Sequence, residues 1–115
     1  MPFLVRAFPV LPGKENQLRQ MATELAGPRT ESVGGFYRNL GVSHESWFLQ
    51  KTPQGDFIIV ITQIDNAEKR AEEYAVRDDG FTEWFKARVR SLSGIDPDTQ
   101  PLGPPTEQIF EWKPR

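Results

Sequence analysis

The chain has 115 residues, with 14 Lys and Arg against 16 Asp and Glu, one His and no Cys. That length supports one domain with its own core, and the absence of Cys excludes disulfides, thiolate metal sites and a Cys nucleophile. A net charge of −2 argues against nucleic acid as a partner, since phosphate binding needs a basic face.

The N-terminus, Met1-Pro2-Phe3-Leu4-Val5-Arg6, lacks the charged and apolar regions of a signal peptide. The longest apolar run, Phe57 to Ile61, has the length of a strand rather than a membrane span. With no Cys, the expectation is a cytoplasmic protein with no membrane partner. Phe3 to Phe8 is β-rich and ends at Pro9, so it reads as a first strand. Beyond Pro12-Gly13, the positions Leu18, Met21, Ala22 and Leu25 form one helical stripe, closed by Gly27-Pro28. A weaker stripe, Val33, Phe36, Tyr37 and Leu40, contains Gly34-Gly35 and predicts a short or broken helix.

Glu45–Thr52 and Phe57–Ile64 flank Pro53-Gln54-Gly55-Asp56 and predict a hairpin. With that turn Gln50 faces Ile59, Phe48 faces Ile61 and Ser46 faces Gln63. Asp65-Asn66 offers an N-cap for a helix from Ala67 to about Arg77, broken at Asp78-Asp79-Gly80. Phe81, Trp84, Phe85, Val89 and Leu92 form the strongest helical stripe, which ends at Gly94. A proline-rich connection over 95–106 then leads to Glu107–Trp112, whose alternation predicts a last strand. The order β-α-(α)-β-β-α-α-β is that of a single α+β domain over 1–115 of ferredoxin-like type. It implies a four-stranded antiparallel sheet with helices on one face.

Strand 3 does not alternate: Phe57 to Ile61 place apolar groups on both faces. The set Trp47, Leu49, Ile58, Val60, Thr62 and Ile64 is the more apolar and meets the helices. The other face carries Ser46, Phe48, Gln50, Ile59, Ile61 and Gln63, and leaving it wet would be unusual. Either a central strand tolerates the extra apolar residues or a second copy covers them, which makes a two-fold homodimer the simplest partner.

The segments His44-Glu45-Ser46-Trp47-Phe48-Leu49-Gln50, Gly55-Asp56-Phe57-Ile58-Ile59-Val60 and Phe81-Thr82-Glu83-Trp84-Phe85, with the topology and the two-faced strand, resemble the dimeric α+β-barrel superfamily. Within it they are similar to a small bacterial family of undefined function. The resemblance covers roughly 3 to 95 and implies two ferredoxin-like subunits packed sheet to sheet, with a pocket between sheet and helices for a small molecule. Monooxygenases and haem-degrading enzymes are among the activities of that superfamily. The latter use an Asn on the first strand with a Trp and a helix-borne His; here strand 1 carries Arg6 and the one His precedes strand 2. The alternative is a non-enzymatic dimeric structural or stress-related module with no ligand site.

Six residues are candidates for ligand contact. His44 is the side chain that titrates near neutrality and stands at a strand mouth, where capping is the structural alternative. Arg6, a charge within a strand, lines a cavity, pairs with Glu111 or faces solvent. Gln50 and Gln63 can meet a ligand's polar atoms or bond across a dimer interface. Tyr37 and Trp84 belong to an aromatic set, with Trp47 and Phe85, whose helical spacing fits a core as well as a ligand box. One His and no Cys lack the ligand cluster of a metal site, so neither metal nor cofactor is expected. An RNA-recognition sheet needs exposed aromatics and basic residues, and strand 3 offers only Phe57.

Overall fold

The β-rich runs pair into one antiparallel sheet of three strands in a computed structural model that describes residues 3–115. Met1 and Pro2, which open the N-terminal stretch read above, lie outside the described residues. The element order is β1 (Phe3–Val10), α1 (Glu15–Ala26), α2 (Thr30–Asn39), β2 (Val42–Thr52), β3 (Gly55–Ile64), α3 (Ala67–Val76) and α4 (Gly80–Ser93). The sheet order is β1-β3-β2, so β3 is central. Pro9 stays within β1, which as an edge strand can do without the proline's missing donor.

The β2–β3 hairpin is tighter than the expected one. Thr52 lies opposite Gly55, so Pro53-Gln54 alone make the turn, and Thr52 Oγ1 donates to the Gly55 carbonyl at 2.5 Å. Gln50 therefore faces Phe57, Phe48 faces Ile59 and Ser46 faces Ile61, a displacement of two residues along β3. Side chains alternate with period two, so an even displacement leaves every residue on its expected face. Trp47, Val60 and Arg6 share one row, as do Glu45, Thr62 and Leu4, and this side meets the helices. Phe48, Ile59 and Ala7 share a row on the opposite side, as do Ser46, Ile61 and Val5. Near its start β2 carries one extra residue: Val42 pairs with Ile64, yet His44 pairs with Gln63, leaving Ser43 as the bulge.

Helices α1 to α4 cover the first side. Leu18 and Met21 of α1, Phe36 of α2, Tyr74 of α3, and Phe85 and Leu92 of α4 are buried together over Trp47, Leu49 and Ile58. Phe36 is the hub, with the rings of Phe85, Phe81 and Tyr74 centred 4.9, 5.2 and 5.8 Å away. That packing explains why α2 runs unbroken through Gly34-Gly35. Each glycine costs about 1 kcal/mol relative to alanine, less than burying an aromatic residue returns. Asp79 caps α4 by accepting from Thr82 N (3.1 Å) and Thr82 Oγ1 (2.8 Å), and Gly94 ends it at φ +76°. The expected side-chain cap of α3 is absent: Asn66 holds the position in a left-handed conformation (φ 52°) without a capping bond.

One expected element does not form. Residues 107–112 carry no regular structure, so the described sheet has three strands rather than four. Thr106 Oγ1 donates to the Val5 carbonyl at 2.5 Å, occupying an acceptor on β1, the strand a fourth would join. Beyond it Ile109, Phe110 and Trp112 stand 87%, 80% and 73% exposed. Alternation shows that a segment could serve a two-faced sheet, but the ladder needs a free edge. The 95–106 connection instead folds back onto the helices. Lys86 of α4, 1% exposed, anchors it by donating to the carbonyls of Ala75 (3.0 Å) and Arg77 (2.9 Å) and to Asp98 Oδ1 (2.8 Å). Arg90 adds ion pairs to Asp96 and Asp98 at 3.0 and 2.8 Å.

Candidate functional site

Between the sheet and the helices lies a cavity of about 140 Å³. Its walls are mostly apolar, from Phe8, Ile58 and Val60 of the sheet and Phe85 of α4. Pro101 and Leu102 close the end beside β1. Gly103 (φ +80°) lets the connection turn there, since a Cβ would strike the Phe8 ring.

The polar centre of the cavity is Glu45. Continuing the helix-facing alternation of β2 back from Leu49 and Trp47 lands on Glu45, so the strand itself aims a carboxyl inward. Tyr37 Oη (3.1 Å) and Trp47 Nε1 (2.9 Å) donate to its Oε2, and Thr62 Oγ1 donates to its Oε1 at 2.5 Å. Three donors on one half-buried carboxylate satisfy most of its acceptor capacity. Burial nevertheless raises its pKa above the ordinary glutamate value, opposed by the bonds from Thr62, Trp47 and Tyr37 and by His44. Burial, then the charge of Glu45, pushes the Tyr37 hydroxyl well above an ordinary tyrosine.

Glu45, Tyr37 and Trp47 also line a second hollow, an open cleft of about 560 Å³ bounded by α1, α2 and the start of β2. The three side chains thus form a partition between an outer cleft and the inner cavity. This hydrogen-bonded wall is the part of the molecule where polar chemistry meets both spaces.

Arg6 stands at the opposite end of the cavity, on β1. Its Nη1 donates to the Val5 carbonyl (3.0 Å) and to Thr106 Oγ1 (3.3 Å). Its Nε is shut off from solvent and has no hydrogen-bond partner among the described residues. The expected pairing with Glu111 does not occur: Glu111 meets Lys113 at 3.4 Å and Gln108 at 2.9 Å. Burial alone lowers the pKa of the Arg6 guanidinium. Arg70 of α3 lines the cavity too, but Asp65 and Glu73 take its charge at 3.7 and 3.0 Å. It lies across Gly41 (φ +69°), where any side chain would collide with the guanidinium.

Of the six candidates from sequence, Arg6 and Tyr37 line the cavity. Gln50, Gln63 and His44 stand on the opposite face of the sheet, with His44 also bordering the outer cleft and its Nε2 2.9 Å from Ser46 Oγ. Trp84 sits apart, with Arg29 stacked 4.0 Å from its ring centre. Glu45 and Thr62 were not among the candidates, although the alternation that placed Trp47 toward the helices extends to both. Among the described residues no three His, Asp or Glu side chains gather into a metal-binding group, and no helix is long and apolar enough to cross a membrane. In comparisons with known proteins, no family model matches the chain, and neither a curated protein nor a solved structure does.

Proposed function

We propose that this protein binds a small, largely apolar molecule in the cavity between sheet and helices, and does so as a homodimer of the α+β-barrel type. The observation that carries the reading is an apolar cavity of about 140 Å³ whose wall holds one carboxyl on three donors. A dry cavity of about 150 Å³ suffices for benzene, so the expected ligand has one ring or a short chain. The outer cleft is its approach, with the Glu45–Tyr37–Trp47 partition as the gate.

The dimer reading is supported by the uncovered side of the sheet. Phe3, Val5 and Phe48 are 60%, 43% and 55% exposed there, around Ile59 and Ile61. A continuous apolar patch of this kind is what a second copy would bury. A ferredoxin-like arrangement belongs to the same reading.

Toluene titration tests the first part, because Trp47 lines the cavity and reports occupancy through its fluorescence. Saturable quenching with a rise in Tm is the expected result; no saturable response to any ligand from benzene to naphthalene overturns it. Sedimentation tests the second part. A dimer at low micromolar concentration that Phe48→Glu converts to a monomer is expected, and a wild-type monomer overturns it.

A further inference from the structure

The cationic groups bordering the cavity differ in one respect. Arg70 is neutralised by Asp65 and Glu73, whereas Arg6 has no carboxylate partner among the described residues and keeps one N–H buried without an acceptor. A buried donor left unsatisfied costs about 1–3 kcal/mol, more when it is charged. A guanidinium within a strand that faces the core adds a desolvation cost of its own. The offset within the fold is partial: Arg6 Nη1 takes two neutral acceptors near the surface, and Val60 and Trp47 in its row are apolar toward it. Glu45 does not serve as its counter-ion: it stands in the next row, with Thr62 and Leu4, and no ion pair joins the two.

We propose that the ligand of this cavity is an anion, a single-ring aromatic or short-chain carboxylate whose apolar body fills the cavity and whose carboxylate pairs with Arg6. This rests on the small-molecule reading above and adds the ligand's charge and orientation. The carboxylate pairs with the Arg6 guanidinium, which lines the cavity and has no carboxylate partner among the described residues. The ring lies among Phe8, Ile58 and Phe85, with its far end toward the Glu45 partition. Guanidinium–carboxylate pairing at the edge of an apolar cavity is charge-assisted and geometrically selective. A cation is disfavoured by Arg6, and Glu45 offers it no free oxygen pair.

Three probes separate the charge from the cavity: 4-methylbenzoate, the isosteric 4-methylbenzamide, and p-xylene, each titrated against Trp47 fluorescence at pH 7 with calorimetry as a second readout. The benzoate is expected to bind at least about tenfold tighter than the amide, and its affinity to fall with added salt. Arg6→Leu should erase that preference while p-xylene still binds saturably, which shows a cavity still able to take an apolar ring, and Arg6→Lys should restore part of the preference. If p-xylene binds but the benzoate is no better than the amide, or if Arg6→Leu weakens all three alike, the anion assignment is overturned and the cavity reading stands. If none of the three binds, both are overturned.

Discussion

Replacing Glu45 by alanine removes the common acceptor of three side chains from two strands and a helix, and the structure sets the cost. Trp47 Nε1 can only donate, and without Glu45 Oε2, 2.9 Å away, its half-buried N–H loses its acceptor. The hydroxyls of Tyr37 and Thr62 can turn to other acceptors, which an indole N–H cannot, so their losses are smaller. At about 1–3 kcal/mol per stranded buried donor, the sum is about 3 kcal/mol. For a domain of this size that lowers Tm by about 12 °C. Glu45→Gln is the informative counterpart. Its oxygen can accept from Tyr37 and Trp47 as Oε2 does, and its amide can donate to Thr62 Oγ1, so the expected loss is under about 1 kcal/mol. Urea denaturation followed by far-UV circular dichroism measures both. An alanine variant within about 1 kcal/mol of wild type, or a glutamine variant as damaged as alanine, would refute the network described here.

Three further outcomes are expected. Burial raises the pKa of Glu45 above that of the unfolded chain, so below the ordinary value of about 4.3 both states are protonated. As pH rises past it the unfolded chain ionises first, and Glu45's contribution to stability falls until the folded carboxyl titrates as well. The stability of Glu45→Gln relative to wild type should therefore climb from pH 4 upward and then level, and a flat difference in urea midpoints across pH 4–8 contradicts it. Lys86→Met strands the carbonyls of Ala75 and Arg77 and frees Asp98; a loss of about 3 kcal/mol is expected by thermal denaturation, and an unchanged Tm counts against the anchor. Gly103→Ala combines a left-handed backbone with a Cβ driven into Phe8, so it should cost about 2–4 kcal/mol, whereas Gly35→Ala in α2, where a Cβ meets open space, should stabilise slightly.

The hairpin and the helical stripes were legible because each reports a local period. The two-residue slip in the hairpin cost nothing, since face assignment depends only on parity. The last strand was misread because alternation carries no information about whether an edge is free, and Thr106 already occupies the Val5 carbonyl. Gly34-Gly35 suggested a broken helix because the cost of glycine is local, whereas the stabilisation from Phe36 comes from residues nearly fifty positions away. Arg6 and Tyr37 stood out as a charge in a strand and an aromatic on a helix. Glu45 looked ordinary beside a lone histidine, and its role depends on convergence of Tyr37, Trp47 and Thr62 that no spacing encodes. Lys86 reads in sequence as one of several basic residues around a helix. Only the return of the chain after Gly94 brings Asp98 over it.

The extra residue at Ser43 acts on the strand as a change of phase. Counting back from Leu49 in steps of two reaches Trp47 and Glu45, and an unbroken count would next turn Ser43 inward and Val42 outward. With the bulge, Val42 and Glu45 both face the helices although an odd number of positions separates them, and both line the inner cavity. Deleting one residue there would put the two in conflict, so that only one could keep its side of the sheet. The inward aim of the carboxyl and the closure of the wall by Val42 thus depend on a single insertion, and its length matters more than its side chain.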